Sequence, residues 1–213
     1  MGSKERRERE RDAVRTKILD AARALFVAQG YEGVSMRAIA EQIEYSPTLI
    51  YQYFKDKETL VKELCYEDFG ELAERLKDTI RIPDPIERLR QCGREYLQFA
   101  IAFPNHYRLM FMTPLPVRDD KTMWEETHGN PETDAYALLL RLVEMAAEEG
   151  ALRDPNPDAN LIAQTLWAGL HGVIALEIVM ACKEEEWLFW RPLSVRTEAM
   201  LDALIKGLFG EKH

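Results

Sequence analysis

The stretch VSMRAIAEQIEYSPTLIYQYFKDKETL, residues 34–60, decides the fold. Its first half places Met36, Ile39, Ala40 and Ile43 at i, i+3, i+4 and i+7, the one-sided apolar spacing of a helix, with Ser35 as N-cap. Ser46 followed by Pro47 reads as N-cap and first helical residue, the position where a missing N–H leaves nothing unsatisfied. A second short helix is therefore predicted from there to about Phe54. Only the tight turn Glu44-Tyr45-Ser46 separates the two. Two short helices joined this closely and buttressed by a longer preceding helix describe a helix-turn-helix unit.

At 100° per residue, Ile50 and Phe54 share one face of the second short helix, with Pro47 nearby, and should pack inward. Thr48, Gln52 and Lys55 fall opposite, with Leu49 and Tyr51 at the edges. A small, polar, hydrogen-bonding face is what a helix entering a major groove requires. Gln52 can make a bidentate pair with adenine, while the Thr48 methyl and Leu49 can touch a thymine methyl. Ser35, Tyr51, Tyr53 and Lys57 are placed to face phosphates, and helix N-termini at Ser35 and Asp56 add donors for anions. Arg37 can reach backbone or base. With Ser46 and Pro47, these residues are the candidate DNA-contacting set. A plain three-helix bundle with a solvated polar face has the same spacing; the crowding of Tyr51, Tyr53 and Ser46 favours the binding reading.

Outward from this stretch the chain is helix after helix. Val14, Ile18, Ala21, Ala22 and Leu25 form the apolar stripe of a first helix that Gly30 stops. Asp56 caps a fourth, carrying Leu60, Leu64, Leu72, Leu76 and Ile80 until Pro83, with Gly70 inside it leaving room for a bend. Asp84-Pro85-Ile86-Glu87 starts a fifth, which Pro104 ends after Phe103. A short helix follows through Tyr107, Met110 and Phe111, then a loop over residues 113–131. Tyr136 to Ala147 forms a seventh helix closed by Gly150. Leu161 to Cys182 is helical and apolar nearly all round, and Met200 to Phe209 is a C-terminal amphipathic helix. The fold class is all-α with about nine helices. Residues 1–11 read as a charged, flexible arm, 12–56 as the helix-turn-helix domain and 57–213 as a regulatory and dimerisation domain.

Composition bounds the function. The chain has 213 residues, 46% hydrophobic and 31% charged, with 28 Lys+Arg against 37 Asp+Glu and a net charge of −9. That is a globular composition and excludes a uniformly basic nucleic-acid coat. The charge is uneven: residues 1–62 hold 12 basic and 10 acidic side chains, the rest 16 and 27. Cys65, Cys92 and Cys182 form neither a C-x-x-C pair nor a disulfide framework, which fits a reducing, cytoplasmic setting. The N-terminus is charged where a signal peptide would be apolar. His106, His128 and His171 share no metal-ligand spacing, so no metal and no cofactor is implied. No G-x-S-x-G, P-loop, H-E-x-x-H or dinucleotide loop occurs, which argues against an enzyme. A protein-binding use of the helix-turn-helix face stays open, separable from DNA binding by its salt dependence.

Residues 34–60, together with ILDAARALFVAQGYEGVSMRAIA (residues 18–40), resemble the DNA-binding signature of the tetracycline-repressor (TetR) family of bacterial transcription regulators. In that family the position of Thr48 is often Gly, that of Tyr53 is often His or Tyr and contacts the backbone, and that of Lys57 holds a phosphate-contacting lysine. FAIAFPNHYRLMF (99–111) and LWAGLHGVIALE (166–177) resemble the regulatory domain of a TetR subgroup named for a Trp-His-Gly motif, here Trp167, His171 and Gly172. The resemblance implies a homodimeric, ligand-responsive regulator, a repressor released from a palindromic double-stranded operator by a small-molecule effector.

The C-terminal domain is read physically as follows. Gly169, His171, Gly172 and Glu177 inside the apolar run argue against a membrane span. A helix apolar on all sides must be buried on all sides, one face in its own core and the other against a second copy. The candidate dimer interface is Leu166, Leu170, Val173 and Ile174 with Leu201, Leu204, Ile205 and Leu208, Gly169 and Gly172 allowing close approach. Phe103, Tyr107, Met110, Phe111, Met112, Met123, Trp124 and Tyr136 supply adaptable and aromatic side chains for an apolar or aromatic effector, with Trp167 and His171 beside them; equally, they can be plain core. Cys65 is weighed as an oxidant sensor.

Overall fold

The computed structural model describes residues 3–115, 129–180 and 190–209. Among these are nine α-helices: α1 (Ser3–Gly33), α2 (Met36–Gln42), α3 (Pro47–Tyr53), α4 (Lys57–Leu76), α5 (Pro85–Ala102), α6 (Pro104–Met112), α7 (Ala135–Glu148), α8 (Ala159–Met180) and α9 (Leu193–Leu208). No strand occurs among the described residues; Leu152 and Phe209 form an isolated antiparallel bridge. The described chain divides into two units, one of residues 3–69 and 105–115, the other of residues 70–104, 129–180 and 190–209.

In the first unit, Ile18, Ala22 and Phe26 of α1 meet Ile39 and Ala40 of α2, Ile50 of α3, Phe54, and Leu60, Val61 and Leu64 of α4, all fully buried. Leu109 of α6 joins the same core. α1 is broken at Gly30, whose φ of 72° and ψ of 167° leave the helical region. The turn between α2 and α3 is a Schellman motif: the Glu44 N–H bonds the Glu41 carbonyl and the Tyr45 N–H bonds that of Ala40. Glu44 occupies its left-handed position at φ 61°, where a side chain is strained. Ser46 then caps α3 by accepting from the Leu49 N–H at 3.3 Å, and Pro47 is its first residue.

A buried ion pair spans this unit. Arg23 of α1 donates to both oxygens of Asp68 of α4, at 3.1 and 2.7 Å, and the two side chains are 5% and 1% exposed. His106 of α6 places Nε2 3.8 Å from the same carboxylate. Burial pushes the Asp68 carboxyl up from its usual range, and the Arg23 guanidinium pulls it back.

The second unit packs α5 against α7, α8 and α9. Asp84 caps α5 by accepting from the Ile86 and Glu87 N–H groups, both at 2.9 Å. Gly93 is where α5 needs its missing Cβ: one built there would lie 2.8 Å from Leu201 and 2.9 Å from Leu170. Arg90–Asp202 and Arg94–Glu198 ion pairs at 2.6 and 2.7 Å tie α5 to α9 along the rim.

Three differences from the sequence reading have physical causes. Residues 3–11, read from sequence as an arm, are helical and extend α1 back to Ser3; Arg6–Glu10 at 2.8 Å and Lys4–Glu8 at 4.0 Å are i,i+4 pairs that support an exposed helix. α4 passes Gly70 without a break and ends at Leu76, the chain tightening into a 3-10 turn, Lys77–Arg81, before Pro83. Pro47 is exposed, since its role is to start α3 rather than to fill the core.

The buried pair makes a pH-dependent prediction. Arg23→Met strands the Asp68 charge and should destabilise the protein by about 3–5 kcal/mol at pH 7. A carboxyl whose folded pKa lies above its unfolded value of about 3.9 holds its proton longer in the fold, so stability falls as pH rises through the folded value. The loss relative to the parent should therefore be smallest near pH 4 and grow toward pH 7. Denaturant midpoints across that range measure it; a deficit independent of pH contradicts the assignment.

Candidate nucleic-acid interface

The orientation of α3 is set from inside. Ile50 and Phe54, both 0% exposed, key one side of α3 and its C-cap into the core. The opposite side then faces outward: Thr48 and Gln52 are exposed, Tyr51 is 54% exposed, and Leu49 is half-buried at the edge. Ser35 accepts from the Ala38 N–H at 3.1 Å as N-cap of α2. Ser35 and Ser46 use an oxygen lone pair in capping, so each hydroxyl proton is left to donate outward. Arg37 is exposed and lies in an i,i+4 pair with Glu41 at 2.8 Å.

Lys57 and Tyr53 have duties inside the unit. The Lys57 ammonium donates to the carbonyls of Tyr31 at 2.9 Å and Val34 at 3.0 Å, and sits 4.0 Å from the centre of the Tyr31 ring. It braces the corner between α1 and α2, leaving one N–H for any anion. Tyr53 is half-buried against the core, with the Arg11 guanidinium 5.9 Å from its ring centre. Arg7, Glu10, Arg11 and Val14 of α1 line an open groove of about 490 Å³ with Gln52 and Tyr53. The sequence reading missed this neighbourhood, because a charge run at a chain terminus carries no sign of which neighbour it meets.

The residues proposed for an effector are divided between the two units. Tyr107, Met110 and Phe111 belong to the first unit, where Tyr107 is fully buried, its ring 4.9 Å from that of Phe111, and Phe111 stands edge-on to Phe69 at 5.7 Å. Met112, at the end of α6, is half-buried there. Phe103, Tyr136, Trp167 and His171 belong to the second. There Tyr136 and Trp167 lie 6.0 Å apart, Trp167 Nε1 donates to the Tyr96 hydroxyl at 3.0 Å, and Phe103 takes the Arg75 guanidinium over its ring at 4.7 Å. Burial lowers the pKa of half-buried His171, favouring the neutral imidazole. Met123, Trp124, His128 and Cys182 lie outside the described residues. Cys65 and Cys92 are buried, and burial pushes both thiols up to about 12, which leaves almost no thiolate at neutral pH to act as a sensor.

The interface residues named from sequence also need correcting. Leu166, Leu170, Val173, Ile174, Leu201 and Ile205 are buried within the chain's own core, and Leu204 and Leu208 are half-buried. A helix apolar on every side gives no sequence clue to which face meets its own core. The faces left outward are Leu161, Ala168, Leu176 and Val179 on α8, and Val195, Ala199, Ala203 and Gly207 on α9. Gly169 admits α9 of the same chain, where an added Cβ would lie 2.8 Å from Leu204; Gly172 faces open space.

Comparison with known proteins places this geometry. Residues 18–64 match the family model of bacterial regulatory proteins, tetR family, and residues 89–186 match the tetracyclin repressor-like C-terminal domain. The chain belongs to the tetR family of bacterial regulatory proteins. It is 34% identical over 71 residues to the HTH-type transcriptional regulator UidR of Escherichia coli K12, covering 33% of this chain and 36% of that protein. It is 40% identical over 60 residues to the HTH-type transcriptional repressor AcnR of Corynebacterium diphtheriae, covering 28% and 32%. These matches span about a third of the relatives' length. Its fold is similar to that of the transcriptional regulator FadR from Bacillus subtilis, solved in complex with stearoyl-CoA, with a TM-score of 0.71, 20% identity and coverage of 90% and 98%.

The bracing role of Lys57 is testable without DNA. Lys57→Met removes two charge-assisted hydrogen bonds and should lower stability by about 1.5–3 kcal/mol in chemical denaturation. Parent-like stability would show that the ammonium is dispensable to the fold.

Proposed function

We propose that this protein is a cytoplasmic DNA-binding transcriptional regulator, a repressor that leaves a palindromic operator when a small-molecule effector binds. The observation that carries this reading is the rotation of α3, which buries Ile50 and Phe54 and turns Thr48 and Gln52 outward. Gln52 pairs with an adenine edge, and Thr48 with Leu49 meets a thymine methyl. Ser35, Arg37, Ser46 and Tyr51 meet the backbone around those bases, Arg37 also being within reach of a base; Pro47 sets where α3 starts. Tyr53, and Lys57 with the N–H it has left, stand at the edge of the contact.

Two copies are needed to read a palindrome, one half-site each, about one helical turn apart. The outward stripes of α8 and α9 suit self-association: Leu161, Leu176 and Val179 supply apolar area, while Ala199, Ala203, Gly207 and Gly172 let backbones approach. α8 is long and apolar enough by composition to cross a membrane, with only 28% of its most apolar window buried in the chain. A paired four-helix face accounts for that exposure without a bilayer. The effector is apolar or aromatic and held by the second unit, where the Tyr136 and Trp167 rings lie 6.0 Å apart and His171 follows Trp167 by one helical turn. An acyl ligand such as FadR's stearoyl-CoA is one that this fold can hold. Its binding shifts the population away from the spacing that fits two adjacent major grooves, relayed along α4, which runs through both units. Membership of the Trp-His-Gly subgroup, on Trp167, His171 and Gly172, belongs to the same reading.

Two experiments test it. Against a duplex selected from a random pool, Gln52→Ala should weaken binding by roughly 1–3 kcal/mol and relax preference at one base position per half-site. Parent-like affinity and preference would remove Gln52 from the reading face. Leu176→Glu should yield a folded monomer in sedimentation and lose operator binding. An unchanged dimer would move the interface elsewhere.

A further inference from the structure

We propose that the N-terminal turns of α1 are a second DNA-contacting element, in which Arg7 and Arg11 hold backbone phosphates beside the bases that α3 reads. This rests on the reading of α3 as the DNA reader. Four observations point to it. Residues 7, 11, 14, 18 and 22 follow helical spacing, so Arg7 and Arg11 continue, beyond the end of the core, the stripe that carries Val14, Ile18 and Ala22. That stripe places Arg7 and Arg11, both exposed, along the open groove beside Gln52 and Tyr53.

The charges there are also available. Arg6 is paired with Glu10, Lys4 with Glu8, and Arg9 donates to the Glu5 carbonyl at 3.4 Å. Arg7 and Arg11 have no ion pair among the described residues; Arg11 has only the Tyr53 ring beneath it, 5.9 Å away, which orients the guanidinium without neutralising it. Glu10, the acidic member of the groove, is answered by Arg6.

The charge distribution agrees. Residues 1–11 hold five basic and three acidic side chains, while 12–62 hold seven of each, so the positive excess of the first 62 residues lies in these turns. In a chain of net charge −9, that excess sits beside the proposed reading helix. Two guanidiniums one turn apart, about 6 Å along the helix axis, suit a line of repeated anions better than a single base edge. The element fixes position and adds salt-dependent affinity; α3 supplies the sequence preference.

The test is a salt titration of binding to the selected duplex by the full chain. Arg7→Ala/Arg11→Ala should weaken binding to all duplexes alike, leave the base preference intact, and make log K against log salt shallower by about 1.8 per protomer. Arg11→Lys, which keeps the charge, should retain the slope. If the parent binds and the double variant matches its affinity and slope, the proposal is overturned. A fall in affinity at unchanged slope overturns it too, since that signals lost packing on Tyr53. If the parent binds no duplex at any salt, the reading of α3 itself fails.

Discussion

The first unit depends on one constraint: the rotation at which α3 is locked. Two side chains set it. Ile50 and Phe54 are both fully buried among residues of α1, α2 and α4, and burying each contributes roughly 1.5–3 kcal/mol. Rotating α3 by half a turn would expose both and bury Thr48 and Gln52 without partners. The start of α3 is fixed as well, by the Ser46 cap, by Pro47 and by the Schellman turn that carries Glu44 at positive φ. Angle and register together decide which side chains face outward. A reading helix must hold these to within a fraction of an ångström, so the short helix is built onto a rigid support.

The support is tied at two further points. Arg23 and Asp68 join α1 to α4 through a buried pair that is tolerable because both partners are present and the guanidinium answers both carboxylate oxygens. Lys57, at the other end of α4's share of this unit, clamps the carbonyls of Tyr31 and Val34 where the chain turns from α1 into α2. Both contacts link α4 to α1 by directional bonds. In the mechanism proposed above, a displacement of α4 strains these bonds before it reaches α3.

The parts of the fold legible in sequence are those governed by neighbours in the chain. Ser35, Ser46, Asp56 and Asp84 cap helices because a short polar side chain before an apolar repeat has one local use. The outward flank of α3 followed from its period alone. What could not be read depends on distant residues. Lys57 has a four-carbon stem, and nothing nearby in sequence says that it folds back onto Tyr31. The apolar run of α8 offers no polar face to orient it, so Leu166 and Leu170 could not be told from Leu161 and Leu176. Aromatic residues near one another in sequence, such as Phe103 and Tyr107, fall into different units. Arg7 and Arg11 acquire meaning only once the helix is seen to continue past the core.

The central claim is that two copies of α3 lie in successive major grooves. The most direct measurement is groove-specific protection of guanine N7 on a duplex selected from a random pool and engineered to carry guanines across the site. Two protected major-groove patches, about 10 base pairs apart and related by two-fold symmetry, are expected. No enrichment in the selection, or a single patch at saturating protein, would contradict it.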